Sequence, residues 1–308
     1  MELIKKMPVA VCGLSVSIAA LGRLLQPRSD AIYYICGALS AAILVLLIIK
    51  IIFDFKHVQE SFKNPIILGV FPTSTLTLQI LCSYIKPFAE VLAVYTWYFA
   101  IIIHFCIIFL FMKRFVYKPK LQNVYPSWLI VFVAVAGGSI TADVAEAWLF
   151  CRISLFVGFI LYLLILPVVL YKMIKTRPLP EPVRPTLAIL TAPMNFCIVG
   201  YFSSFESQIS VLLYAALLVS VIFYIFVSVN MVFLLRLKFY PTYAAFTFPY
   251  VISATAFKAV NSFLMERGMD FFSFAPIISE CLAVAIVSYV FIRYLVFMMT
   301  PEKSSFTP

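Results

Sequence analysis

Five prolines recur along the chain at a nearly constant interval: Pro8, Pro65, Pro126, Pro185 and Pro241, separated by 57, 61, 59 and 56 residues. Each follows a basic or polar stretch, such as Lys5-Lys6-Met7 or Lys63-Asn64, and opens an apolar run with no charge for at least fourteen positions. Proline suits the first turn of a helix, where its missing N–H would have had no intrahelical partner. A fixed period of this kind marks one structural unit used five times. Two helices per unit predict ten.

The chain is 64% hydrophobic and only 12% charged, with mean hydropathy +1.07. Soluble domains carry about 25% charged residues. A helix crossing ~30 Å of hydrocarbon needs about 20 mostly apolar residues. Ten such spans use up most of 308 residues, so the expected fold is a single all-α integral membrane domain over residues 1–308. Odd-numbered spans are expected near 8–25, 65–85, 126–142, 185–204 and 241–263, and even-numbered ones near 31–55, 91–115, 148–173, 209–236 and 274–299. Lys5-Lys6 before an apolar stretch also fits a signal peptide. That segment continues the repeat, however, and Ala19-Ala20-Leu21-Gly22 is a poor cleavage context, so it is read as a span.

Of the 23 lysines and arginines, seventeen fall on the side that holds the N-terminus and six on the other. The positive-inside rule then predicts a multi-pass protein of the inner (plasma) membrane with both termini cytoplasmic. The basic residues are spread over short loops and form no single face, which excludes nucleic acid as a partner. The seven cysteines lie in or beside spans without a CxxC pair or Cys/His cluster, and read as small buried hydrophobes. Neither metal nor cofactor is expected. At membrane depth the chain offers only an isolated Glu280 and an isolated His104, so no catalytic pair is present and an enzyme is excluded.

The two kinds of span differ. Even spans are rich in Leu, Ile, Val and Phe. Odd spans carry helix breakers and small polar groups: Gly13 and Ser17, then Pro72 and Thr73, Gly137, Pro193 and Asn195, and finally Thr247 and Pro249. A mid-membrane proline frees a carbonyl, which is tolerated where other helices or a water-filled cavity satisfy it. The predicted arrangement is an inner ring of five kinked helices around a conduit, with Ser17, Pro72, Thr73, Gly137, Pro193, Asn195, Thr247 and Pro249 lining it. The inner helices hold no Asp, Glu, Lys, Arg or His over their central lengths. Proton relays and acidic cation filters need such groups. A neutral conduit with a positive mouth suits small anions.

Glu280 is expected to pair with Lys258 or Arg267, or to sit at a subunit contact. His104 is read as a satisfied packing histidine, and Lys50 and Arg293 as snorkelling cations. Trp97, Trp128 and Trp148 are expected as interfacial anchors.

Pro-Ser-Trp at Pro126–Trp128, Arg-Pro-Thr at Arg184–Thr186 with Ala192-Pro193, and Ala-Phe-Thr-Phe-Pro at Ala245–Pro249 stand in a characteristic order. With the five hairpins, they make the chain resemble the tellurite-resistance/dicarboxylate transporter family, TehA-like bacterial homologues of plant slow-type anion channels. The resemblance covers the whole length, departing in the first helix at Val9-Ala10-Val11-Cys12. It implies a homotrimer in membrane lipid with one pore per protomer. It also implies a gate in which the Phe248 ring plugs the pore against Gly13. The implied function is a channel for chloride, nitrate or similar small anions. The alternative is a secondary transporter of C4-dicarboxylates or related organic anions.

Overall fold

The computed structural model describes residues 2–176 and 178–300. Among them the chain is helical, with no strand. The main helices are α1 (Val9–Leu25), α2 (Asp30–Phe53), α3 (Pro65–Ile85), α4 (Glu90–Val116) and α5 (Ser127–Ile140), followed by α6 (Trp148–Lys175), α7 (Glu181–Ser204) and α8 (Ser210–Leu234). Then come α9 (Pro241–Phe246 continuing into Thr247–Met265) and α10 (Phe274–Met299). Seven of these are long and apolar enough to cross a membrane, whereas α1 and α5 are shorter apolar helices.

Their starts are written in the sequence. Asn64 accepts from the Ile66 N–H at 2.9 Å with Pro65 in the first turn, and Ser29 caps α2 through the Ile32 N–H. The turn from α9 to α10 closes on Gly268 at φ 72°, a left-handed position that glycine occupies without steric cost.

Burial sorts the helices into two shells. The most apolar windows of α3 and α7 are 72% and 78% buried, against 22% to 39% for α2, α4, α6, α8 and α10. The odd helices touch in cyclic order: α1 packs on α3, α3 on α5, α5 on α7, α7 on α9, and α9 again on α1. The inner ring is therefore closed. Each even helix lies against its own odd partner and the next one round, as α2 does on α1 and α3 and α10 on α9 and α1. Exposed Phe, Ile, Leu and Val cover the outside of this shell. Such a surface is at home in hydrocarbon and not in water.

Inner helices share a second property: each is broken. α1 opens with a 3₁₀ turn, Val9–Val11; α3 is interrupted at Phe71-Pro72; α5 passes through 3₁₀ at Ala134–Ala136. α7 runs as 3₁₀ from Glu181 to Thr191 and α9 from Pro241 to Phe246 before each becomes α-helical. Hydroxyls close four of these breaks by donating to the carbonyl three residues back. The bonds are Thr73 to Val70 (2.8 Å), Ser139 to Ala136 (2.6 Å), Thr191 to Ala188 (3.2 Å) and Thr247 to Ala244 (2.7 Å). A freed carbonyl in an apolar surrounding costs about 1–3 kcal/mol if left bare. A local Ser or Thr hydroxyl is the cheapest partner.

Several sequence expectations are corrected here. Glu280 pairs with neither Lys258 nor Arg267; its Oε1 lies 2.5 Å from Arg28 Nε in the α1–α2 turn. Lys50 does not snorkel. It is buried, and its ammonium donates to the Ile4 and Lys5 carbonyls and to Asp54. Trp97 is fully buried and donates to Thr141 Oγ1 at 2.7 Å, and Trp128 to the Asn123 carbonyl. Only Trp148 of the three is exposed. Cys106 and Cys281 are exposed on the outer shell, not buried.

Candidate functional site

At the ring's centre, where the five breaks meet, lies a cavity of about 50 Å³. Its wall comes from all five inner helices and from no outer one. α1 supplies Gly13, α3 Val70, Thr73 and Leu76, and α5 Leu129, Ile130, Val133 and Ala134. α7 supplies Ile189, Ala192, Pro193 and Phe196, and α9 Ala244, Ala245, Phe248 and Pro249. No ionisable side chain reaches it. Its one hydroxyl, Thr73, is already committed to the Val70 carbonyl.

The predicted residues divide. Phe248, Gly13, Thr73, Pro193 and Pro249 come together on this wall. Ser17, Pro72, Gly137, Asn195 and Thr247 do not line it. Ser17 donates to Thr247 Oγ1 and sits 2.5 Å from the Gly13 carbonyl, locking α1 to α9. Asn195 donates to Ser253 and accepts from Ser220, joining α7, α8 and α9. A Cβ on Gly137 would come within 2.6 Å of Leu76, so this glycine permits close packing of α5 on α3. Pro72 makes the break between Val70 and Thr73, which both line the cavity. For Ser17, Asn195 and Thr247 the physical reason is common: polar groups in a membrane interior seek protein partners, and the backbone and interhelical seams provide them.

Phe248 is 7% exposed and packs edge-on against Phe196, with ring centroids 6.1 Å apart. Sequence reading missed Phe196; its signal is a ring three residues after the break-making Pro193, one turn further along the same helix. The atoms nearest to a Cβ on Gly13 belong to Ala244, with the Ala244 Cβ at 3.1 Å. Gly13 thus sets how closely α1 approaches α9 where the Phe248 ring lies. Phe246 is fully buried against Tyr243, off the cavity wall.

Val70, Ala244 and Ala245 also belong to a second, larger cavity of about 440 Å³. The two spaces therefore adjoin. This vestibule is bordered by Pro8, Asn64, Pro182 and Pro241, at the starts of α1, α3, α7 and α9, and by Lys5, Lys6, Lys50 and His57. Helix N-termini carry partial positive charge, so lysines and dipoles together make this mouth attractive to anions. At the opposite end, cations cap the inner helices. Arg23 donates to the Ile140 carbonyl, Arg152 to Ser204 and Arg267 to Phe263. Acids accompany them there, with Arg23 beside Asp143 and Lys86 beside Glu146.

Comparison with known proteins agrees with this geometry. An uncharacterized transporter of Methanocaldococcus jannaschii is 27% identical over 197 residues, covering 58% of this chain. The chain spans little more than half, 56%, of that relative's length. The family model described as voltage-dependent anion channel matches residues 6–295, nearly the whole chain. The chain is thus a multi-pass membrane protein and belongs to the voltage-dependent anion channel family.

Proposed function

We propose that this anion-transport protein is a channel for small inorganic anions, shut in the described state by the Phe248 ring. The observation that carries this reading is the meeting of five helix breaks at one apolar, uncharged cavity next to a lysine-rich vestibule. An anion entering the cavity loses water and finds no free donor on the wall. Unpaired burial of a charge costs several kcal/mol or more, enough to stop conduction. Moving the ring aside widens the passage without introducing a charge that would trap the ion.

In this reading the chain is one channel domain of five tandem hairpins beginning near residues 8, 65, 126, 185 and 241, crossing the membrane ten times. The vestibule faces the cytoplasm with both termini, since the lysine-rich ends of the inner helices gather there. The working unit is a homotrimer in the inner membrane.

A second reading is a carrier of C4-dicarboxylates. The vestibule favours it, being almost nine times the volume of the central cavity and lined by lysines. Reconstitution into planar bilayers with chloride, nitrate or malate separates the two. Unitary currents in chloride and nitrate support the channel. Saturable malate uptake without unitary events supports the carrier and sinks the channel reading.

A further inference from the structure

On the side of the central cavity away from the vestibule, α3 carries Gln79. It is 1% exposed, and its Oε1 is enclosed without a hydrogen-bond partner among the described residues. The amide lies against the bare backbone of Gly137 on α5. A Cβ there would stand 2.7 Å from Gln79 Oε1 and 2.6 Å from Leu76 of the cavity wall. Gly137 thus makes room at the α3–α5 seam for a buried amide oxygen that is left unpaired. Native folds rarely keep such a group without a reason. Thr73 and Thr77 on the same helix spend their hydroxyls on its backbone. Ser83, one turn beyond Gln79, also has an unpaired Oγ. A serine can give its hydrogen to the carbonyl four residues back, whereas a glutamine amide has no such local outlet.

Beyond Gln79 the passage opens. Helical residues seven apart share a face. Seven residues after Leu76, Ser83 is half-buried; seven after Phe248, so is Thr255. On α9 that face continues through half-buried Ala259 to exposed Ser262, while Ala256, Phe257 and Val260 stay buried. Outer helices cover the backs of α3 and α9, so this exposure is toward the axis. Gln79 therefore stands between the apolar cavity and a funnel that widens toward the far end.

An amide has an acceptor end and a donor end, and a half-turn about its terminal bond exchanges them. With the NH2 turned to the passage, Gln79 offers two neutral donors. An ion leaving the cavity has lost water to a wall that gives nothing back. Neutral donors replace part of that shell without a fixed charge to hold the ion.

We propose that Gln79 is an anion-coordinating residue beyond the gate, taking a small monovalent anion on its amide NH2 and setting the preference between chloride and nitrate. The proposal rests on the channel reading above for its effect on current, but not for the bound ion. Chloride, with its charge more concentrated than that of nitrate, loses more when a donor is removed, so Gln79 favours chloride.

Two measurements test it. The first is anomalous diffraction from crystals of Phe248→Ala soaked in sodium bromide. A bromide peak within hydrogen-bond reach of the Gln79 amide is expected, and it should vanish in Phe248→Ala/Gln79→Leu. No peak there, or one that survives Gln79→Leu, overturns the proposal whatever the currents do. The second is bilayer recording in the Phe248→Ala background. Gln79→Leu should lower chloride conductance about threefold or more, the net worth of a hydrogen bond to a charge, and raise the nitrate-to-chloride permeability ratio. Gln79→Glu, which offers a negative charge in place of the donors, should lower conductance further. An unchanged permeability ratio in Gln79→Leu overturns the selectivity role. A thermal melt separates this from a structural role, because an apolar group of similar shape in place of an unpaired amide is neutral or stabilising. A lower melting temperature with an unchanged ratio would make Gln79 a packing residue only. If Phe248→Ala itself conducts no better than wild type, the channel reading is lost and the selectivity role with it, while the bromide site still decides whether Gln79 binds an anion.

Discussion

Phe248 is the residue whose removal should matter most. Its ring and that of Phe196 meet edge-on across the central cavity, and truncating either removes wall from a space of about 50 Å³. Phe248→Ala should raise anion conductance by at least about an order of magnitude, because hydration can then follow the ion. Phe196→Ala should raise it less. Phe246→Ala should leave current unchanged, since that ring packs on Tyr243 away from the cavity. Single-channel recording of folded, reconstituted variants checks all three, and equal currents from wild type and Phe248→Ala would sink the gate. Phe248 could be singled out from the sequence because it precedes Pro249 within a family motif. Phe196 stood three residues after a proline and in no motif, and the contact between the rings exists only once α7 and α9 are side by side. Arg28 likewise lies in a turn more than 250 residues before Glu280. Nothing local in the sequence announces that pair.

Among elements, the broken inner helices show how one physical demand serves two ends. A break frees carbonyls, a hydroxyl three residues on satisfies them, and the bend brings small and apolar side chains to the axis. The same Ser and Thr residues that sequence reading placed in a polar lining are therefore consumed by the backbone or by interhelical seams. Asn195 illustrates the cost of removing one. Asn195→Leu leaves the Ser220 and Ser253 hydroxyls without their partner and should destabilise the protein by about 1–3 kcal/mol, with ion selectivity unchanged. A thermal melt in detergent alongside reversal potentials in mixed anions tests both halves; altered selectivity would return Asn195 to the conduction path. Gly37 makes a complementary case. A Cβ there would stand 2.5 Å from the Tyr84 ring, whose hydroxyl is held by the Ala19 carbonyl, so the ring cannot retreat. Gly37→Val should cost about 1–3 kcal/mol by overpacking α2 against α3. A melting temperature equal to wild type would show that the seam has slack.

For the molecule as a whole, the closed ring creates an axis. Apolar helices in this number could have packed as a layered bundle without one. Instead each outer helix fills the groove between two inner helices, which directs every break inward and every long Leu-, Ile- and Phe-rich face outward. That outer shell, with its exposed aromatic side chains, is the surface through which we expect three copies to associate. Native mass spectrometry in mild detergent should show a trimer as the main species, and monomers and dimers alone would count against it.

The sequence by itself determined the membrane class, the helical content and the two-shell sorting. These follow from local quantities: the length of apolar runs, the prolines that start helices, and the breakers confined to alternate segments. It also placed Phe248, Gly13, Thr73, Pro193 and Pro249 on helices that reach the axis. Which face of each helix meets the cavity was decided by tertiary structure alone. A hydroxyl's partner in a low-dielectric interior can be its own backbone, a neighbouring helix or an ion. The choice depends on angles at a break that only packing against the rest of the ring can set. Ser17, Asn195 and Thr247 went to neighbours for that reason, and the Gln79 amide came to lie against Gly137 with its oxygen unpaired among the described residues.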